Sequence, residues 1–354
     1  MHYKQPGEIL NKMLLNLTEL SEEPLYGQIS RQLAVKILGG ELAGGDELLP
    51  LSVMARSQRV SIRTVQKAYE KLEMEGLICA KNGQGFFVTS LSPEQKQSIA
   101  MQQFYEESFE KYEFTKELQM AHNIQRDLLP KELPDDEHLQ IAAYSKASFT
   151  VGGDFYDYLP IDKHRFAIVI ADACGHGLPA AMVISQMQVM LKTGVKYYSS
   201  IQETMQCLNK HLWFYTSVKS FATLFYGVFD KTTNTIDFAN AGQNFPILIR
   251  NDGKIEYLKT TGPALGLKAD SAYKIEKTNI NKGDDIIFYT DGLTESMNTK
   301  KEEYGEQRLL KQIRKSRRME AQDIIQSIIR DLNTFQNTTY LQDDRTILVM
   351  KVLN

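Results

Sequence analysis

From Gln95 to Leu129 the chain carries neither glycine nor proline. A stretch of that length without either breaker is predicted to form one helix. It separates a shorter part of the 354 residues before it from a longer part after it. Phe114, Leu118, Ala121, Ile124 and Leu128 recur at steps of three and four, which lays them on one stripe. Such a stripe packs against the body of its own chain or against the same stripe of a second copy. The parallel coiled-coil homodimer is the expectation taken forward. Pro130 and Pro134 stop the helix. The expected organisation is a domain over 1–91, a helical linker over 92–133 and a domain over 134–354.

Composition sets outer limits. The length allows two domains, each with its own core. A net charge of -3 excludes a globally basic nucleic-acid coat and leaves a local basic patch open. Cys79, Cys174 and Cys207 lie far apart, which argues against a disulfide framework or a zinc knuckle and for a reducing cytoplasm. No apolar run nears the length that spans a bilayer and the start lacks an apolar signal core, so no membrane is expected.

In the first part, Leu25, Ile29, Leu33 and Ile37 keep helical spacing up to Gly39-Gly40. A short helical segment follows Leu49-Pro50, with a turn at Gln58-Arg59-Val60. Ser61 is the expected N-cap of a helix from Ile62 to Glu75, closed by Gly76. Lys81-Asn-Gly-Gln-Gly85 then suits a tight hairpin. Three helices and a wing form the order of a winged helix-turn-helix.

The motifs PLYGQI and SIRTVQKAYEKLEMEGL in this segment resemble the GntR family of transcriptional regulators. The resemblance implies that double-stranded DNA is a partner, with Arg63, Thr64, Gln66 and Lys67 on the major-groove helix and Lys81 and Gln84 on the wing. Two features run against it. Between Glu22 and Ser92 eight Lys/Arg face eight Asp/Glu, without the basic excess of a phosphate binder. The Ser-Glu-Arg usual at the second helix reads Leu51-Ser52-Val53 here.

From about Glu137 onward short β-branched and aromatic runs alternate with helical patterns, which reads as mixed α and β. Phe166 to Ala171 has the content of a buried strand, and Asp172 follows it. Asp154 follows Gly152-Gly153. Asp291 comes after the apolar run Ile286 to Tyr289, and Asp343-Asp344 precedes Thr346 to Val352. Carboxylates at strand ends, beside free backbone carbonyls, supply the oxygen ligands that hard divalent cations need.

VGGDFYD, ADACGHG, NAGQNFP, TDGLTE and QDDRT occur in that order over more than 200 residues, after AHNIQRDLLP, and resemble the SpoIIE/RsbU branch of the PPM family of metal-dependent serine/threonine protein phosphatases. The resemblance implies a multidomain α+β chain whose C-terminal part is a β-sandwich of two antiparallel sheets flanked by helices. It also implies two Mn²⁺ or Mg²⁺ ions bridged by Asp172. Asp154 and the backbone carbonyl of Ala173 would serve one ion, and Asp291 and Asp343 the other; Asp344 would bind metal or orient a ligand. The substrate class it implies is a phosphoserine or phosphothreonine protein, such as an anti-sigma-factor antagonist. Such ions would neutralise phosphoryl oxygens and acidify water, as a very slow hydrolysis requires.

His176 is by type a candidate general acid, or alternatively a structural residue at a helix start. Cys174 reads as packing. Gln243 stands where the family pattern has histidine, so substrate handling near Asn240 to Phe245 is expected to differ. The competing reading is a non-enzymatic transcriptional regulator whose phosphatase-like domain senses metal or a partner.

Overall fold

The computed structural model describes residues 12–18, 23–81, 83–135, 138–197, 200–216, 220–338 and 341–353. The chain forms two compact units, 1–114 and 115–354. The boundary falls inside the long helix rather than at its ends, because the last turns of that helix bond to loops of the second unit.

In the first unit α1 (Leu25–Leu38), α2 (Leu51–Gln58) and α3 (Ile62–Met74) precede the hairpin β1 (Ile78–Lys81) and β2 (Gly85–Val88). Ile29, Leu33, Ile37, Met54, Val65, Tyr69 and Leu72 are buried at a common core. Arg59 takes a left-handed φ of 57° between α2 and α3. Ser61 accepts from the Thr64 amide at 3.1 Å, capping α3, and a cap of this kind contributes about 1 kcal/mol. The helical pattern of this domain begins at Leu25, and the expected domain reaches back to residue 1. The structure adds Met13 to the core, and the Gln28 and Gln32 carboxamides bond the main chain of Thr18 and Asn16. Glutamines that pair with an extended segment leave no periodic trace.

Helix α4 (Pro93–Asp127) is the long helix. Of the expected stripe, Leu128 lies just past its end, Phe114 and Ile124 are exposed, and Leu118 and Ala121 are half-buried.

The second unit is a sandwich. One antiparallel sheet has the order β10-β7-β6-β5-β4, from Glu276–Asn279, Thr235–Ala241, Ala222–Asp230, Arg165–Ala173 and Asp154–Pro160. The other has the order β3-β12-β11-β8-β9, from Leu139–Lys146, Arg345–Val352, Asp285–Tyr289, Ile247–Ile249 and Ile255–Tyr257. Between the sheets lie Phe166, Ile168, Ile170, Phe225, Phe288, Leu348 and Met350. The outer face of the first sheet is covered by α5 (Gly177–Gly194) and α6 (Ile201–Tyr215), through Ile184, Met187, Met205 and Leu208. The outer face of the second is covered by α8 (Gly305–Ser316) and α9 (Ala321–Gln336), through Ile313, Ile324 and Ile328; the short α7 (Asp291–Thr294) precedes them. Both faces of each sheet are buried, which is why the central strands read as continuous apolar runs rather than alternating ones.

Asp154, which follows Gly152-Gly153, is the first residue of β4. That strand holds Asp157, fully buried, with Lys192 Nζ of α5 2.9 Å from its carboxylate. A residue 35 positions away compensates the buried charge, so nothing local announces the strand. Asp291 begins α7 just after β11.

Candidate metal centre

Strand phase decides where the acidic residues point. On β5 the residues facing the sheet interface are Phe166, Ile168 and Ile170, so the period of two puts Asp172 on that same face. On β4 the interface residues Tyr156 and Tyr158 carry Asp154 with them, and β4 and β5 pair Asp154 with Asp172. On β12 Leu348 and Met350 put Thr346 and Asp344 in the same phase, and on β11 Ile286 and Phe288 do so for Thr290. Five aspartates therefore meet at one end of the sandwich. Asp154 and Asp172 come from the paired ends of β4 and β5, Asp343 and Asp344 from just before β12, and Asp291 from the start of α7.

Hydrogen bonds join the two sheets there. Thr290 Oγ1 donates to Asp154 Oδ2 at 2.7 Å and receives the Thr346 amide at 3.0 Å. Asp344 Oδ1 accepts from the Ser148 amide at 2.6 Å and hydroxyl at 2.8 Å, and its Oδ2 accepts from the Gly153 amide at 2.5 Å. Asp344 is buried and its carboxylate holds the 147–153 loop. The glycines of the motifs answer to close approach. A Cβ on Gly152 would lie 2.6 Å from Asp344 Oδ2.

Burial and mutual repulsion set the electrostatics of this carboxylate cluster. Burial first, then the charges of Asp154, Asp291, Asp343 and Asp344, push Asp172 up to about 10. Burial, then Glu295 and Asp343, push Asp291 up to about 6. Asp154 is raised by burial and by Asp344 and Asp291, against the Thr290 hydrogen bond. Burial also raises Asp343, opposed in part by the nearby His176. Among the described residues, no three Asp, Glu, His or Cys side chains close on a single point as a finished ligand set. Their charges are nevertheless felt mutually, a state that divalent cations relieve. The donors are all oxygen, which suits Mg²⁺ or Mn²⁺ better than zinc.

Around the cluster, His176 is exposed and stacks on Phe149, ring centroids 4.9 Å apart. Cys174 is exposed, so the expected packing role does not hold for it. The Ala173 amide bonds the Gly153 carbonyl at 3.0 Å, fixing the strand end whose own carbonyl was a candidate ligand. Gln243 is buried and bonded to Thr223, the cross-strand partner of Asp172. Gln243 thereby braces β6 beside the strand end that carries Asp172. Sequence reasoning missed Thr290, Ser148 and Gln125; their bonds span 136, 196 and 27 residues.

In the first unit, Arg63, Gln66 and Lys67 lie exposed on α3, with Gln66 bonded to Glu70 and Lys67 over the Tyr26 ring. Thr64 is half-buried and tied to the Ser61 cap. On the wing Gln84 is exposed, and Lys81 Nζ sits 4.3 Å from the Phe87 ring centroid.

Known proteins resemble both units. Residues 25–88 match the family described as bacterial regulatory proteins, gntR family. Protein IcfG of Synechocystis sp. is 31% identical over 221 residues, covering 55% of this chain and 35% of that protein. Phosphoserine phosphatase RsbU of Bacillus subtilis is 28% identical over 240 residues, covering 68% of this chain and 71% of RsbU. The SiaA-PP2C domain of Pseudomonas aeruginosa shares the fold at a TM-score of 0.61 and 21% identity, over 68% of this chain and 98% of that one. Residues 162–353, more than half of the chain, match the family described as Stage II sporulation protein E (SpoIIE), and the chain belongs to that family.

Proposed function

We propose that the second unit is a metal-dependent serine/threonine phosphatase acting on a phosphorylated signalling protein. The observation that carries this reading is the meeting of five aspartates from both sheets at one end of the sandwich. Asp154, Asp172, Asp291, Asp343 and the Ala173 carbonyl would hold two Mn²⁺ or Mg²⁺ ions, whose chemistry is to neutralise phosphoryl oxygens and acidify water. Asp344 anchors the loop that carries Asp154. His176, exposed and held against Phe149 near Asp343, is the candidate to protonate the departing serine oxygen. The similarity to a phosphoserine phosphatase, RsbU, supports a phosphoserine protein as the substrate, with an anti-sigma-factor antagonist as the expected type.

The first unit is proposed to bind double-stranded DNA through α3 and the wing, and the chain to act as a cytoplasmic homodimer joined through α4. Among the described residues no helix is long and apolar enough to cross a membrane. The test is phosphate release from a phosphoserine peptide by the full chain with Mn²⁺, and its loss with a chelator. A chain that binds a DNA operator yet releases no phosphate would favour the non-enzymatic regulator instead.

A further inference from the structure

The last turns of α4 bond directly to the loop that carries Asp154. His122 Nδ1 lies 2.7 Å from the Thr150 carbonyl oxygen. Gln125 Nε2 donates to the Gly152 carbonyl at 2.7 Å, and Gln125 Oε1 accepts from the Gly152 amide at 3.2 Å. One carboxamide thus satisfies both main-chain groups of a residue that lies outside either sheet. The next amide, that of Gly153, donates to Asp344. From helix to cluster the sequence of contacts is Gln125, Gly152-Gly153, then Asp344, with Asp154 next along the chain.

Packing does not replace these bonds. A cavity of about 200 Å³ opens beside them, lined by Gln125, Leu129, Asp154, Gln188 and Asp344 among others. Gln188, fully buried, donates to the Leu128 carbonyl at 3.0 Å and so grips the chain just past the helix. On the α4 side the loop is therefore fixed by directional hydrogen bonds more than by filled space.

We infer that Gln125 is a positioning residue for the carboxylate cluster: through Gly152 it sets the placement of Asp154 and Asp344, and with it the affinity for the divalent ions. The inference rests on the metal-dependent reading above. A partner that orients metal ligands is typically worth 10–100-fold in metal affinity, and Gln125, acting through a backbone segment, belongs near the lower end.

The experiment compares the full-length wild type with Gln125→Ala, Gln125→Glu and Gln140→Ala. Gln140 serves as the control because it also bonds a main-chain amide, that of Ala321 at 2.7 Å, away from the cluster. Mn²⁺ binding is followed by calorimetry, hydrolysis of a phosphoserine peptide against Mn²⁺ concentration, and hydrogen exchange of the 147–154 segment in the metal-free protein. For Gln125→Ala the Mn²⁺ concentration at half saturation rises about tenfold, kcat at saturating Mn²⁺ stays within about twofold of wild type, and the loop amides exchange faster. Gln125→Glu keeps the acceptor for the Gly152 amide and recovers part of the affinity. Gln140→Ala lowers the Tm without moving Mn²⁺ saturation. If Gln125→Ala binds Mn²⁺ like the wild type and shows unchanged loop exchange, the positioning role is overturned while the phosphatase reading stands. If the wild type itself neither binds Mn²⁺ nor releases phosphate, both fall.

Discussion

Gly292 and Asp344 approach so closely that a Cβ on Gly292 would sit 1.8 Å from the Asp344 carbonyl oxygen. Backbone, not a yielding side chain, occupies the space, so any side chain there forces α7 away from the start of β12. Gly292→Ala is therefore expected to separate Asp291 from Asp343. It should lower stability by about 3 kcal/mol and phosphate release by a larger factor than that loss explains at temperatures where the variant is folded. Activity close to wild type in the folded variant would contradict the arrangement.

Asp172→Asn is expected to abolish Mn²⁺-dependent phosphate release while leaving the fold intact, because it puts an uncharged amide of the same shape where burial and four neighbouring aspartates already oppose ionisation. In the presence of chelator the variant should be at least as stable as the wild type by urea denaturation. Retained hydrolysis would dislodge Asp172 from the centre.

The same cluster makes the metal-free protein sensitive to pH. Asp172 at about 10 and Asp291 at about 6 both lie above the 3.8 of a free aspartate, so the folded state holds protons that the unfolded chain releases. The stability from these groups is complete below about pH 4 and falls as pH rises, over about pH 4–6 for Asp291 and onward to about pH 10 for Asp172. Unfolding with chelator at about pH 5 and about pH 9 should show the decline, and both Asp172→Asn and added Mn²⁺ should flatten it. A flat wild-type profile with chelator would refute it.

Much of the sandwich is legible in the sequence because its central strands and covering helices state their pattern locally. The runs at β5, β11 and β12 are apolar and flanked by aspartate, so the pattern alone assigns Asp172, Asp291 and the Asp343-Asp344 pair to strand ends. The helices α5, α6, α8 and α9 keep apolar spacing of three and four. Strand β4 is hidden because Asp157 and Pro160 interrupt its pattern, and its support comes from Lys192 on another element. Edge strands β9 and β10, of three and four residues, are too short to show a period. The bonds from Thr290 to Asp154 and from Ser148 to Asp344 join residues that no local rule relates.

Arg63 is exposed near the start of α3, and the domain carries no basic excess to mask its loss. Arg63→Ala is expected to weaken binding to a cognate operator by about 1–3 kcal/mol if it reads a base, with phosphatase kinetics unchanged. Fluorescence anisotropy over a salt series measures both affinity and slope. Equal affinity for variant and wild type would remove Arg63 from the DNA surface.

Ile124 is 67% exposed on α4, so Ile124→Asp should cost the isolated chain little. If α4 pairs with a second copy, the substitution buries a charge at the seam and the protein should sediment as a monomer at concentrations where the wild type is a dimer. Identical sedimentation of the two would discard pairing through this face.

The antiparallel register that sets Asp154 opposite Asp172 has its closing turn at the far end, over 161–164. Lengthening that turn leaves both carboxylates in phase, whereas one extra residue between Tyr156 and Leu159 would swing Asp154 to the helix-covered side. The turn is thus the natural place to graft a fluorophore or an epitope tag, and the strand beside it tolerates no change of length.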